Sequence, residues 1–99
     1  MARLIIVWDI EAKTSFKEWI NYIKEDSLQN AQKVRSEILD IVDGLKLHPL
    51  KYPPDRFKIS NDGNYRAFEK HNYRIAYKID DQQIIILRLR HVRSEPKEH

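Results

Sequence analysis

Hydrophobic residues recur with helical spacing through the first half of the chain, after a short apolar run at its start. The run from Arg3 to Trp8 contains five consecutive apolar residues and predicts a strand covered on both faces. The following apolar positions, at steps of three and four, predict a helix with its N-cap at Thr14 or Ser15. A second helix is predicted to begin at Ser27 and to end near Gly44. The apolar positions of the two helices are Phe16, Trp19, Ile20 and Ile23, and then Ala31, Val34, Ile38, Ile41 and Leu45.

The second half of the chain changes to the alternation that is typical of strands. A linker from Lys51 to Asp62 contains two prolines, and within it Arg56 to Ile59 is expected to pair briefly as an edge strand. Three strands are then predicted at Tyr65 to Lys70, Tyr73 to Ile79 and Ile84 to His91. The order β-α-α-β-β-β predicts an α+β fold, in which an antiparallel helical hairpin packs on one face of a mostly antiparallel sheet.

Length and composition limit the class of protein further. The 99 residues predict a single domain spanning 1–99, and 41% hydrophobic with 33% charged residues is a globular composition. The absence of cysteine excludes disulfides, thiolate metal sites and cysteine nucleophiles. No apolar stretch approaches the roughly 20 residues that a membrane-spanning helix needs, so we expect a cytoplasmic protein.

The net charge of +3 is distributed unevenly along the chain. Residues 1–50 carry 7 basic and 8 acidic residues, a balance of −1, whereas residues 51–99 carry 11 and 7, a balance of +4. A localised basic face is compatible with a polyanionic partner such as RNA or DNA. An excess of this size is also common on an ordinary solvated surface.

Candidate chemistry is concentrated in the last three predicted strands, where cations alternate with apolar residues. No glycine-rich phosphate loop and no zinc-type histidine spacing is present, so neither a cofactor nor a metal is expected. His91 is the group in this region that exchanges protons near neutral pH. The run from Arg88 to Arg93 is either a phosphate-binding site or a charged edge strand that resists aggregation. The cations of the three strands and their end are Arg66, Lys70, Arg74, Lys78, Arg88, Arg90 and Arg93.

These features together resemble the RelE/ParE toxin superfamily of bacterial type II toxin–antitoxin modules, which includes plasmid stabilisation proteins. The resemblance covers nearly the whole chain and implies a RelE-like fold. It begins with Val7-Trp8 in the opening strand and continues through the helix pair to Pro49. Its most specific parts are Tyr65-Arg66, then Tyr73-Arg74-Ile75-Ala76-Tyr77, and finally His91-Val92-Arg93.

The branches of this superfamily imply different functions. Toxins similar to RelE are mRNA interferases, RNA-binding endoribonucleases that cleave mRNA on the ribosome without a metal and cause growth arrest. Toxins similar to ParE inhibit DNA gyrase and have no known catalysis. In both branches a cognate antitoxin wraps the toxin surface. A third alternative is a degenerate, non-toxic module that acts only in an antitoxin-bound, DNA-binding repressor complex.

For the nuclease branch the resemblance implies specific roles. Arg74 and Arg93 would stabilise charge on the phosphate, and His91 would transfer a proton. Phe68 stands where such enzymes carry a second strand lysine, and His99 lies near the position of their catalytic tyrosine. The basic sheet and His91 narrowly favour mRNA cleavage over gyrase inhibition. An apolar groove beside the helix pair is expected to hold an acidic antitoxin helix. The substrate-binding residues would be Arg66, Lys70, Lys78, Arg88 and Arg90.

Overall fold

The computed structural model describes residues 4–94, whose helices and strands follow the predicted order. The four strands form one sheet in the order β1-β4-β3-β2, with β1 parallel to β4 and the other neighbours antiparallel. The predicted α+β class and mostly antiparallel sheet are therefore confirmed. None of the helices within 4–94 is long and apolar enough to cross a membrane. The elements are β1 (Ile5–Trp8), α1 (Ile10–Asp26), α2 (Leu28–Gly44), β2 (Tyr65–Lys70), β3 (Tyr73–Ile79), β4 (Gln83–His91) and a 3₁₀ turn (Val92–Ser94).

The helix α1 begins earlier than its apolar spacing predicted. Asp9 is the N-cap, because its Oδ1 accepts a hydrogen bond of 3.0 Å from the backbone N–H two residues later. Thr14 and Ser15, the predicted caps, lie inside the helix, so that prediction is wrong. At α2 the prediction is confirmed, since Ser27 Oγ accepts a bond of 3.0 Å from the Asn30 amide. Ser27 alone separates the helices, which therefore fold back on each other as a hairpin.

Two predictions about strands are wrong. The strand β1 is not covered on both faces, since Ile5 is 57% exposed and Val7 is 37% exposed. The reason is that the helices cover only one side of the sheet, which we call the inner face; the opposite side is the open face. The segment 56–59 forms turns and no edge strand, because the linker reaches the sheet through an isolated bridge between Pro54 and Arg66.

The core lies between the helical hairpin and the inner face of the sheet. Trp19 and Ile38 supply buried side chains from the helices, and Ile75, Ile84 and Ile86 supply them from β3 and β4. Trp19 stacks on the ring of a strand residue, Tyr73, at a centroid distance of 3.9 Å. The odd-numbered positions of β3 therefore face the helices, as alternation along a strand requires.

An irregularity in β4 changes which residues face the helices. The register shifts between Ala76 and Tyr77, so that Ala76 pairs with Arg88 while Tyr77 pairs with Ile86. One extra residue in β4 therefore reverses the alternation, as in a β-bulge. Beyond it the buried Leu89 lies opposite Ile75 on the inner face. The arginines at positions 88 and 90 are thereby turned away from the core.

The buried hydroxyl of Tyr77 joins the segment that follows α2 to the core. It is the largest fully buried side chain of the described residues, and its hydroxyl donates a bond of 2.9 Å to the Pro49 carbonyl. Burial raises the pKa of Tyr77 to about 12, from 10.0. Because the folded state holds the phenol neutral, this stabilisation is complete below pH 10.0 and is lost as pH rises towards about 12.

We expect Tyr77→Phe to lower the free energy of unfolding by about 1 kcal/mol at neutral pH, since the Pro49 carbonyl loses its donor. The same variant should lose less stability than the parent protein when the pH rises above 10.0. Urea denaturation at neutral and alkaline pH measures both effects. Tyr22→Phe is the matched control because Tyr22 is 71% exposed. Equal alkaline losses in the parent and in Tyr77→Phe would contradict this account of the phenol.

Candidate functional site

Arg74 lies on the open face of β3, where two carboxylates bind it. Its Nη2 is 2.8 Å from Asp55 Oδ1, and its Nη1 is 3.1 Å from Glu69 Oε2. Asp55 is a buried charged residue of the linker, only 3% exposed. The ring of Phe57 lies 4.8 Å from the guanidinium carbon. These contacts use the charge of Arg74 to hold the linker against the sheet.

Arg66 lies on the other side of the sheet from Arg74. Its register partner is the buried Tyr77, which places it at the inner face. The guanidinium donates bonds of 2.7 Å to the Tyr52 carbonyl and 3.0 Å to the Gly63 carbonyl. Arg66 therefore fixes the two ends of the linker, and the structure does not bring it together with the cations of the open face.

The other cations predicted to bind substrate occupy three different surroundings. Lys78 Nζ lies 5.4 Å from the centre of the Tyr65 ring, which Lys58 Nζ also approaches at 4.7 Å. Lys70 is exposed at the end of β2. On β4 the register places Arg88 opposite Ala76 and Arg90 opposite Arg74. Arg90 Nη2 also lies 3.8 Å from the Glu11 carboxylate of α1.

His91 ends β4 on the inner face, opposite Tyr73, and the two rings meet edge to face at 5.3 Å. Its Nδ1 accepts a hydrogen bond of 3.1 Å from the backbone N–H of Arg93. In the neutral ring the proton therefore lies on Nε2, so that His91 offers a donor at its outer nitrogen. Arg93 itself is exposed in the 3₁₀ turn.

The three residues predicted to be catalytic are thus divided between two faces. His91 and Arg93 lie together at the end of β4. Arg74 lies on the opposite face, because it directly follows Tyr73 and neighbouring residues of a strand point in opposite directions. The catalytic roles of Arg74, His91 and Arg93 stay predictions. His99, near which the family's tyrosine would fall, lies outside the described residues.

A pocket beside His91 was not predicted from the sequence. It has a volume of about 380 Å³, and we call it the His91 pocket. Its only sequence signal is the spacing of polar and aromatic residues along α1, which places them on one side of the helix. Burial raises the pKa of the Tyr73 phenol, and the neighbouring Tyr22 phenol adds to this effect. The pocket is lined by Ser15, Glu18, Trp19 and Tyr22 of α1 and by Tyr73, Arg90 and His91 of the sheet.

A second depression, which we call the hairpin groove, lies beside the two helices. Its volume is about 530 Å³. The rings of Trp8 and Phe16 stack in it at 5.2 Å. Apolar side chains thus share the groove with cations and one amide, whereas its occupant stays a prediction. The lining residues are Trp8, Phe16, Ile20 and Leu39, with Lys13, Lys17, Arg35 and Asn21.

Within residues 4–94, no group of three histidine or acidic side chains is placed to hold a metal ion.

The buried acid Asp55, like the His91 pocket, was not predicted from the sequence. Its only signal is the position directly after Pro53-Pro54, and that position does not indicate an ion pair with a strand 19 residues away.

The chain matches a known protein family over most of its length. The family model described as the ParE toxin of the type II toxin–antitoxin system, parDE, matches residues 6–96. Among solved structures, the chain is similar to the chromosomal ParDE system from P. aeruginosa, with 16% identity, a TM-score of 0.68, and coverage of 90% of this chain and 96% of that chain. It is similar to the RelBE2 toxin–antitoxin complex from Mycobacterium tuberculosis, with 18% identity, a TM-score of 0.62, and coverage of 91% and 99%.

The YoeB dimer from Staphylococcus aureus is also similar, with 20% identity, a TM-score of 0.54, and coverage of 88% of this chain and 94% of that chain. At these identities the likeness to solved structures establishes the fold alone. No curated protein sequence matches the chain.

Proposed function

Because the chain belongs to the ParE toxin family of type II toxin–antitoxin systems, we propose that it arrests growth by binding and inhibiting DNA gyrase, without cleaving RNA. The observation that carries this proposal is the pairing of Arg74 with Asp55 and Glu69, at 2.8 Å and 3.1 Å. Stabilising a phosphate in a transition state needs a cation that is aimed at the substrate before it binds. The Arg74 side chain is only 12% exposed and is already aimed at carboxylates.

Recruiting Arg74 to a phosphate would take its guanidinium away from the Asp55 carboxylate. The Asp55 side chain is 1% exposed, so breaking this buried ion pair would carry a large desolvation cost. Arg66 is similarly engaged with the carbonyls of the linker. The two strand arginines of the family motif thus support the fold, which favours a toxin that acts through a binding surface.

The surface we propose for gyrase is the end of β4. Arg93 is exposed there, and its backbone N–H holds the ring of His91 in one orientation. Arginine is enriched among the residues that dominate binding energy at protein interfaces. A short turn that presents Arg93 beside a partly buried histidine is a suitable anchor for an acidic or polar partner surface.

The antitoxin is the other partner of such a toxin, and the hairpin groove is its proposed docking site. The apolar part of the groove suits the apolar face of an amphipathic helix. Lys13, Lys17 and Arg35 would attract acidic residues of that helix and speed its association. We therefore expect an antitoxin segment that is acidic, amphipathic and helical when bound.

Ribosome-dependent mRNA cleavage is the second candidate, and one observation favours it. In the neutral ring, the Nε2–H of His91 can donate a hydrogen bond to a leaving oxygen, within a run that also contains Arg88, Arg90 and Arg93. These residues would supply a hydrogen-bond donor and positive charge without Arg74. The candidate therefore rests on the end of β4 alone.

One induction experiment tests both candidates. Wild-type protein is induced in bacteria, and plasmid supercoiling, the DNA-damage response and transcript ends are followed within minutes. We expect lost supercoiling and an induced damage response, with transcripts intact. Arg93→Ala should weaken inhibition of purified gyrase about tenfold, the effect of removing an interface anchor.

Lys24→Ala is the matched control for Arg93→Ala, since it removes an exposed cation from the last turn of α1 and none from the end of β4. Codon-phased breaks in translated mRNA, abolished by His91→Ala, would overturn the gyrase proposal in favour of the nuclease.

A second experiment co-expresses the antitoxin, which we expect to neutralise Lys17→Glu less readily than the parent toxin. Unchanged neutralisation of Lys17→Glu would count against the hairpin groove as the docking site.

A further inference from the structure

Aromatic side chains line the His91 pocket. Trp19 and Tyr73 stack on each other at 3.9 Å with an angle of 20° between their rings, and His91 meets Tyr73 edge to face. Because these rings are already in contact with one another, the ring most open to a planar ligand is that of Tyr22, which is 71% exposed. The volume of about 380 Å³ lies at the lower end of the range for small-molecule sites. Aromatic side chains of this kind stack on unpaired bases.

Hydrogen-bonding groups lie on two sides of this pocket and have opposite character. From α1 the pocket receives Glu18, whose ionised carboxylate only accepts hydrogen bonds. Ser15 and Tyr22 lie three residues before and four residues after it, on the same side of the helix. From β4 the pocket receives His91, whose Nε2–H donates in the neutral ring, and Arg90, which adds a positive charge.

This arrangement of an acceptor opposite donors selects among the bases. Guanine presents two adjacent donors, N1–H and the 2-amino group, which a carboxylate binds together, and it presents two adjacent acceptors, O6 and N7, on its next edge. Adenine would turn the lone pair of N1 towards the carboxylate. Cytosine and uracil have no pair of adjacent donors on one edge.

We propose that the His91 pocket binds a guanine base, with Glu18 accepting from N1–H and the 2-amino group and with His91 Nε2–H donating to the O6/N7 edge. This site goes beyond gyrase inhibition, although it shares His91 with the surface proposed above for gyrase. A free guanine nucleotide and an unpaired guanine in a single strand present the same edges to it. Arg93 lies two residues after His91 in the 3₁₀ turn, and its positive charge would attract the phosphate that either ligand carries.

The test is a calorimetric titration of the purified full chain with GMP, IMP and AMP. IMP lacks the 2-amino group, so we expect it to bind about tenfold more weakly than GMP, the cost of one hydrogen bond to a charged group. AMP should bind more weakly still. Glu18→Gln should remove the preference for GMP over IMP, whereas Glu25→Gln, at an exposed position of α1 outside the pocket, should preserve it.

The source of the base is distinguished with the trinucleotides UpGpU and UpApU. Tighter binding of UpGpU than of GMP would assign the pocket to single-stranded nucleic acid, and equal binding would assign it to the free nucleotide; both outcomes support the site. Equal affinity for GMP, IMP and AMP, no binding of any of them, or an unchanged preference in Glu18→Gln would overturn the proposal. Because the titration contains no gyrase, its failure is separate from failure of the proposed function.

Discussion

Replacing Asp55 with alanine is expected to lower the free energy of unfolding by about 3–5 kcal/mol, the usual cost of removing one partner of a buried ion pair. The Asp55 side chain is 1% exposed, and it accepts from Arg74 Nη2 at 2.8 Å and from the Phe57 amide at 3.0 Å. Without Asp55, the Arg74 guanidinium, whose side chain is 12% exposed, keeps its contact with the half-exposed Glu69 but loses the buried carboxylate. A domain of this size has roughly 5–15 kcal/mol in total, so much of its stability depends on this residue.

Chemical denaturation of purified protein measures the loss, and the double variant Asp55→Ala with Arg74→Met identifies its cause. Removing both charges together should recover part of the lost stability, because no unpaired charge then remains buried. Asp43→Ala is the matched control, since Asp43 pairs with Lys46 at 2.6 Å but is 69% exposed. An exposed pair contributes about 0–1 kcal/mol. Equal losses for Asp55→Ala and Asp43→Ala would show that the ion pair of Arg74 is not a structural one.

The sequence predicted the elements whose signal is local. The strands Tyr65–Lys70 and Tyr73–Ile79 have the predicted bounds, because alternation and the turn at His71-Asn72 define both ends. Both turn residues have positive φ, 53° and 66°, as a two-residue hairpin turn requires. Ser27 was likewise predicted to begin the second helix, and its hydroxyl forms the N-cap of that helix.

Long-range pairing explains most of what the sequence did not predict, and the cap at Asp9 is a local exception. Asp9 reads as the end of a strand or the cap of a helix, and only the observed bond from its side chain to the next helix distinguishes them. The coverage of β1 depends on which faces the helices reach, and a consecutive apolar run does not encode this. The linker 51–62 has no periodicity, and its position is set by Asp55 and Arg66, whose partners lie far along the chain.

The residue types at the end of β4 can be read from the sequence, but their geometry cannot. The end of β4 does bring His91 and Arg93 together, and the bulge turns Leu89 inwards and the neighbouring arginines away. The division of Arg74 from His91 between two faces follows from the register of β3 with β4. The family resemblance assigned Arg74 and His91 to one catalytic site, whereas the alternation of side chains along a strand places them on opposite faces of the sheet. The nuclease candidate therefore depends on His91 without Arg74, and the gyrase candidate treats Arg74 as a structural residue.

Trp19→Ala is expected to lower the free energy of unfolding by about 3–5 kcal/mol, the range for truncating a large aromatic residue in a core. Trp19 is 5% exposed, stacks on Tyr73 at 3.9 Å and meets Phe16 edge to face at 6.3 Å. It therefore packs α1 against the first residue of β3. The alanine variant loses apolar burial and leaves a cavity between helix and sheet.

Thermal and urea unfolding followed by circular dichroism measure this loss, and Tyr22→Ala is the control on the same helix. Tyr22 is 71% exposed, so its truncation should cost less than about 1 kcal/mol. Trp19→Phe keeps an aromatic ring at the position and should retain most of the stability that alanine loses, because stacking on Tyr73 survives. If Trp19→Ala is no more destabilising than Tyr22→Ala, α1 is anchored elsewhere, and the stacked pair is a surface feature instead of part of the core.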